Sequence, residues 1–262
     1  MQEQPDVAPN PDQPLPQPVK RRREKPGIFR FFSIVLWPIM TPTVKYTFID
    51  GDKIPATGAF VLSPNHFSNI DPVIVGYAVW KLGRNPRFLA KAGVFKVPVL
   101  GWLLRKSGQI PVDRTSASKG RESLTAASEL VTHGRGVIVY PEGSLTRDPD
   151  LWPMRGKTGA VRLALEAGVP LIPAVHWGTQ EIMPRYSGKL RLFRRKPVTI
   201  RIGDPVDLSA YRGRPLDSAM LTEATGRVMD TIATLLGEVR GEQPPAKRWD
   251  PAEHGQSETG RI

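Results

Sequence analysis

The chain contains no cysteine. Disulfide staples, thiolate nucleophiles and cysteine-built metal sites are therefore excluded, which suits a reducing compartment. Histidine is scarce as well, with four in 262 residues. No two of them stand at metal-ligand spacing, so no metal site is expected. Long apolar runs are also missing. The longest near the N-terminus, "GIFRFFSIVLWPIM" (27–40), is shorter than the roughly 20 residues that cross a bilayer. It also carries Arg30, Ser33 and Pro38. It begins too late for a secretory signal and no small-residue cleavage site follows it.

Acids are absent where bases are dense. Lys81 to Arg121 holds Lys81, Arg84, Arg87, Lys91, Lys96, Arg105, Lys106, Arg114, Lys119 and Arg121 against the single acid Asp113. Arg185 to Arg201 holds seven bases and no acid. The formal net charge of +12 implies a polyanionic partner: nucleic acid, an anionic membrane face or a phosphate-bearing substrate. No RNP, helix-turn-helix or zinc-finger pattern is present, so no nucleic acid is expected. A basic cluster, "KRRREK" (20–25), precedes the aromatic run at 27–40. That arrangement fits a helix lying in the interface of an anionic membrane, or a first helix packed on the core.

What the chain does have is enough apolar residues, 40%, for a sizeable core. Residues 1–19 are rich in Pro and Gln without apolar periodicity and are expected to be disordered, as is the polar stretch from about 241 to 262. Between them, β-rich runs at 59–63, 87–91, 108–112, 136–140, 170–175 and 197–202 alternate with helical patterns at about 72–82, 94–105, 118–132, 157–167 and 215–238. This predicts an α/β single domain over 45–239, a mixed, mostly parallel central sheet flanked by helices. A membrane-associating helical segment (27–44) precedes it. Residues 1–26 and 240–262 are expected to form tails. Pro173 inside "PLIPAV" argues for an edge or bulged strand, although the composition of the run is that of a core strand.

Ligands bind beyond strand ends in such sheets, and the polar motifs fall there. "SPNHFSNIDPV" (63–73) puts His66 in a loop after an apolar strand, with Asp71 five residues on. Asp71 is a good helix N-cap with Pro72 at the first helical position, and Ser68 or Asn69 would start the same helix. A turn into the helix can also fold Asp71 against His66. The carboxylate would then accept the Nδ1 proton, leave Nε2 as a base and stabilise the imidazolium that forms. No Gly-x-Ser-x-Gly elbow surrounds Ser68. A His–Asp pair without a protein nucleophile suggests that the substrate supplies the hydroxyl. Arg114, after "GQIPV", is suited to a bidentate phosphate contact. In "YPEGSLTRD" (140–148), Gly143 permits close backbone approach, and Glu142 is placed to bond a substrate hydroxyl. His176 is read as a core or hydrogen-bonded histidine, or as a residue lining the site. His133 is read as a helix C-terminal residue.

The blocks "NHFSNID", "GQIPVDR", "YPEGSLTR" and "VPLIPA", in that order, resemble the bacterial 1-acylglycerol-3-phosphate acyltransferases of glycerophospholipid synthesis. "KTGAVRLALEAGVP" (157–170) is similar too, and the likeness covers about residues 45–205. It implies that His66 is the general base on a lysophospholipid hydroxyl and that Asp71 orients it. It implies that Gly108, Arg114, Glu142, Gly143 and Arg147 hold the glycerol phosphate, and that Pro173 lies on the acyl-donor side. No cofactor is implied; acyl-CoA or acyl carrier protein would be the co-substrate. The implied place is the cytoplasmic face of the plasma membrane, peripheral or monotopic, on anionic lipids. One departure stands out: the family usually has Glu-Gly-Thr-Arg, whereas Ser144 and Leu145 here push Thr146 and Arg147 two places later.

Overall fold

The computed structural model describes residues 27–35, 38, 41–112, 125–126, 128–129 and 131–257. Its centre is a five-stranded sheet of order β1-β7-β6-β2-β5, built from β1 (Val44–Ile49), β2 (Phe60–Pro64), β5 (Gly136–Ile138), β6 (Leu171–Trp177) and β7 (Lys196–Ile202). Pairing is parallel for β2 with β5 and β6 and for β1 with β7, and antiparallel between β6 and β7. β3 (Leu89–Lys91) and β4 (Ile110–Val112) form a small parallel pair. A bridge from Phe88 to Ile138 ties that pair to the edge of the main sheet.

Two faces of the sheet bury two cores because strand side chains alternate. Val61, Val137, Leu171 and Val175 face one way, into a cluster with Val161, Ala164, Val228 and Ile232. Phe60, Leu62, Ile138, Ile172 and Ile200 face the other, against Ile74, Val75 and Ala78. The covering helices on the first side are α4 (Gly159–Ala167) and α6 (Ser218–Arg240), and on the second α2 (Asp71–Lys81). In α6 the Asp217 side chain caps the first turn by accepting from Met220 N at 2.8 Å, and Gly241 follows its end in a left-handed conformation. Shorter helices complete the chain: α1 (Phe29–Val35), α3 (Pro98–Lys106) and α5 (Thr179–Ile182).

Each of the six expected strands is present, and the helices expected near 72–82, 157–167 and 215–238 are present as α2, α4 and α6. The pattern at 94–105 divides into a 3₁₀ turn, Ala92–Lys96, and α3. The helix expected at 118–132 lies mostly outside the described residues; those described between 125 and 132 are helical. Four points differ from expectation. β1 is an additional strand. Pro173 sits in the central strand β6, not at an edge. Its carbonyl accepts from Gly203 N at 2.8 Å, so its missing N–H faces the same side, just past the Ala174–Ile202 pair where the β7 ladder ends. The stretch expected to be a tail is ordered through residue 257. Trp249 stacks on His254 with ring centroids 3.5 Å apart, Arg155 N donates to Trp249 O at 2.8 Å, and Arg248 pairs with Asp230. Finally, part of the basic character is internal. Arg84 is buried and donates to the carbonyls of Pro55, Gly58 and Gly134. Arg87 is also buried.

Candidate active site

The site forms where β2, β5 and β6 end side by side. β2 leads into the loop 65–70, and α2 starts at Asp71 with Ile70 in the N-cap position. Asp71 is thus the first helical residue rather than the cap. Its carboxylate turns back into the loop instead of forward along the helix. Oδ2 accepts from Phe67 N and Ser68 N, each at 2.8 Å, and lies 2.9 Å from His66 Nδ1. Oδ1 accepts from Thr179 Oγ1 at 2.6 Å. The tight turn between two β2–α2 residues five apart is what folds the two side chains together. Asp71 is fully buried, and burial opposes its ionisation. The facing His176 and His66 rings, with the Thr179 hydroxyl, outweigh that and hold the carboxyl below the usual carboxylate range. With Nδ1–H donated to Asp71, His66 keeps the lone pair of Nε2.

Beneath His66 the loop is braced from two strands. Asn65 and His176 join β2 to β6 reciprocally. Asn65 Nδ2 donates to His176 O at 3.1 Å, His176 N to Asn65 Oδ1 at 2.9 Å, and the His176 ring Nε2 to Asn65 O at 2.9 Å. Burial pushes the His176 imidazole below its ordinary value against the pull of Asp71, 3.6 Å away, and the ring serves as a structural partner of the Asn65 carbonyl. That is the hydrogen-bonded core role of the two read from sequence. Beyond β5, the Tyr140 ring stacks on His66 at 4.1 Å between centroids, and Phe88 stacks on Tyr140 at 6.1 Å.

The loop 140–148 closes the other side. Gly143, in a left-handed conformation with φ +72°, returns its N–H to Tyr140 O at 3.1 Å. After this turn the chain comes back, and Thr146 N donates to His66 O at 2.7 Å. Arg147 follows, buried, with Nη1 3.1 Å from the Tyr186 hydroxyl and the guanidinium 5.5 Å from that ring's centroid. Arg185, a base of the second acid-free block, donates to the carbonyls of Thr146 and Asp148. Ser68 Oγ donates to Met183 O at 2.6 Å, so this hydroxyl is committed to the backbone.

Glu142 lies under the histidine loop, fully buried, accepting from His66 N at 2.8 Å and Met154 N at 3.0 Å. Burial pushes its carboxyl up to about 8, against the pull of those donors. The folded protein thus holds a proton on Glu142 that the unfolded chain releases near the ordinary value of 4.5. The stability this contributes is complete below that value and lost as pH rises through about 8. In Glu142→Gln one N–H donor loses its acceptor, so the variant should be less stable by about 1–3 kcal/mol at mildly acidic pH. It carries no such titration, so the gap should narrow towards alkaline pH. Urea midpoints of both proteins across that range check the sign.

His66, Asp71, Glu142, Gly143 and Arg147 are therefore gathered in one place. Pro173 is buried in β6, opposite Ser63 of β2. Gly108 ends α3, its N–H on Arg105 O at 3.1 Å. Arg114 lies outside the described residues. Asn65, His176, Thr179 and Tyr140 are additions to the site. The sequence carried one cue for them, a histidine at the end of an apolar strand, and none for the threonine.

A three-layer α/β domain with a His–Asp pair in the loop after a parallel strand defines the class. Its fold matches the crystal structure of the 1-acyl-sn-glycerophosphate (LPA) acyltransferase PlsC from Thermotoga maritima, with a TM-score of 0.58 over 85% of this chain and 84% of that one, at 22% identity. A family model, Acyltransferase, matches residues 45–177. A chloroplastic 1-acyl-sn-glycerol-3-phosphate acyltransferase, BAT2, of Brassica napus is 32% identical over 195 residues, 71% of this chain and 54% of that protein. The 1-acyl-sn-glycerol-3-phosphate acyltransferase of Bacillus subtilis is 27% identical over 81% of this chain and its own full length. That of Haemophilus influenzae is 30% identical over 67% of this chain and 69% of its own. The chain belongs to the acyltransferase family, with relatives in bacteria and plants. It spans about half the length of the chloroplast proteins it matches.

Proposed function

We propose that the protein transfers a fatty acyl group from acyl-CoA or acyl carrier protein to the free hydroxyl of 1-acylglycerol-3-phosphate, giving phosphatidic acid. One observation carries this reading: His66 Nδ1 stands 2.9 Å from an oxygen of the buried Asp71, with the nearby serine hydroxyl spent on a carbonyl. His66 Nε2 takes the proton of the acceptor hydroxyl as that oxygen attacks the thioester carbonyl. The tetrahedral intermediate collapses by breaking the C–S bond, and the proton passes to the departing sulfur, so ester and thiol are formed without a covalent enzyme intermediate. Gly108, Arg114, Gly143 and Arg147 hold the glycerol phosphate, and Pro173 lies on the donor side. Glu142 serves the same end through the backbone, by setting the His66 and Met154 N–H groups.

The acceptor is a lipid, so the enzyme works peripherally on the cytoplasmic face of an anionic membrane. Among the described residues no helix is long and apolar enough to cross one. α1 supports interfacial association: Phe29 is buried, whereas Phe31, Ile34 and Val35 are exposed, an arrangement that packing on the core does not explain. The test is thiol release from acyl-CoA over a panel of lysophospholipids. Release is expected with lysophosphatidate above the others, with phosphatidic acid as product. No release with any of them would refute the reading.

A further inference from the structure

The unit β3–α3–β4 carries a bare apolar face. α3 lies on the preceding 3₁₀ turn by one side. A Cβ at Gly101 would sit 2.0 Å from Phe95 O, so only glycine allows this approach, and Arg105, one turn on, donates to the same carbonyl at 2.9 Å. Val99 lies about 200° round the helix from Gly101 and is 72% exposed. Val97, Leu100 and Trp102 are 49%, 43% and 53% exposed. Four bare apolar side chains within six consecutive positions form a contiguous patch, which single surface hydrophobics do not. Its borders are basic: Lys96, Arg105 and Lys106 are exposed. No acid occurs between Lys81 and Val112. Lys106 follows Trp102 by one turn of the helix.

We propose that this face of α3 seats the protein on an anionic phospholipid bilayer, with Val97, Val99, Leu100 and Trp102 entering the interface and Lys96 and Lys106 at the headgroups. An apolar stripe with a Trp, rimmed by bases without acids, complements a surface that is anionic outside and hydrocarbon beneath; an acid-bearing protein partner would match only the rim. The unit that carries this face adjoins the reaction centre. Phe88, at the entry to β3, stacks on Tyr140, and Tyr140 stacks on His66. The inference rests on the reading that the acceptor is a membrane lipid, and it assigns a contact surface separate from α1.

Because the chain has no cysteine, Val99→Cys gives a unique attachment point for an environment-sensitive fluorophore on the full-length protein. Phosphatidylglycerol–phosphatidylcholine vesicles should shift that label to the blue and expose it to lipid-borne quenchers, while a label at Ala219→Cys, on exposed α6 surface, stays unchanged. Val99→Glu with Trp102→Glu should weaken vesicle co-sedimentation by about tenfold or more and lower turnover of bilayer-borne lysophosphatidate. Turnover of a monomeric short-chain lysophosphatidate should be unaffected. A label at 99 that ignores bound vesicles, or a double variant that binds them normally, overturns the proposal. So does a label already blue-shifted without vesicles, which assigns the face to another segment of the chain, or a doubled mass in sedimentation velocity, which assigns it to a second copy. If neither protein turns over any lysophospholipid, the enzymatic reading fails, and the label still decides the docking surface.

Discussion

Replacing His66 by alanine should slow thiol release with lysophosphatidate by about 10²–10⁴-fold, with the loss in kcat rather than KM. That is about 3–5 kcal/mol of barrier, far more than the substitution should cost the fold. The ring is 16% exposed and packs on Tyr140. Without it, Asp71 keeps Phe67 N, Ser68 N and the Thr179 hydroxyl as donors. A stability cost of about 1 kcal/mol would lower the melting temperature by only about 2–4 °C in a domain of this size. Vesicle binding should be intact, since the residues assigned to it are on other elements. The decisive comparison is thiol release against thermal melting in one preparation. A folded His66→Ala protein that releases thiol at the parent rate rules out the general-base role.

Much of this architecture was legible because the central strands are continuous runs of β-branched and apolar residues, as "FVLS" and "GVIV" are, bounded by turns. Such runs need both faces covered, which the alternation with amphipathic helices supplies. β1 was not legible for the opposite reason. In "VKYTFI" Val44 is buried and Lys45, Thr47 and Phe48 are exposed, the weak pattern of an edge strand whose partner, β7, lies about 150 residues on. The C-terminal stretch misled through its average. It is polar and Pro-rich, but Trp249, Arg248 and Pro251 anchor it individually, and composition does not register single anchors.

The same distinction runs through the site. His66 and Asp71 share one loop, so local turn logic suffices to bring them together. Thr179 and His176 reach that loop across 108 and 111 residues of sequence, because β6 happens to lie beside β2. No local pattern encodes that adjacency. Glu142 was visible as a residue type, but its backbone partners were not. Its acceptor capacity is turned inward to backbone N–H groups rather than outward to a ligand, a consequence of the loop folding back at Gly143.

Asp71→Asn should fold with a melting temperature close to the parent's and lose about 10- to 10³-fold in thiol release. The structure gives the amide a way to fit. Its oxygen can take the Oδ2 position and accept from Phe67 N, Ser68 N and His66 Nδ1. Its NH₂ can then face Thr179, whose hydroxyl turns from donor to acceptor and can direct its own proton to His176 Nδ1, 3.5 Å away. The imidazole keeps its tautomer, so what disappears is the negative charge. A carboxylate at this range favours an imidazolium by about 1.4–4 kcal/mol, and the rate should fall by the corresponding factor. Thr179→Val removes the accommodating hydroxyl. Added to Asp71→Asn, it leaves a buried amide N–H without an acceptor, and the pair should destabilise by about 0.5–3 kcal/mol more than the two single changes summed. Urea melts of the four proteins give the coupling. A poorly folded Asp71→Asn single variant would refute the hydroxyl's exchange of roles, whereas full activity in it would show that Asp71 aims His66 without its charge mattering to the reaction.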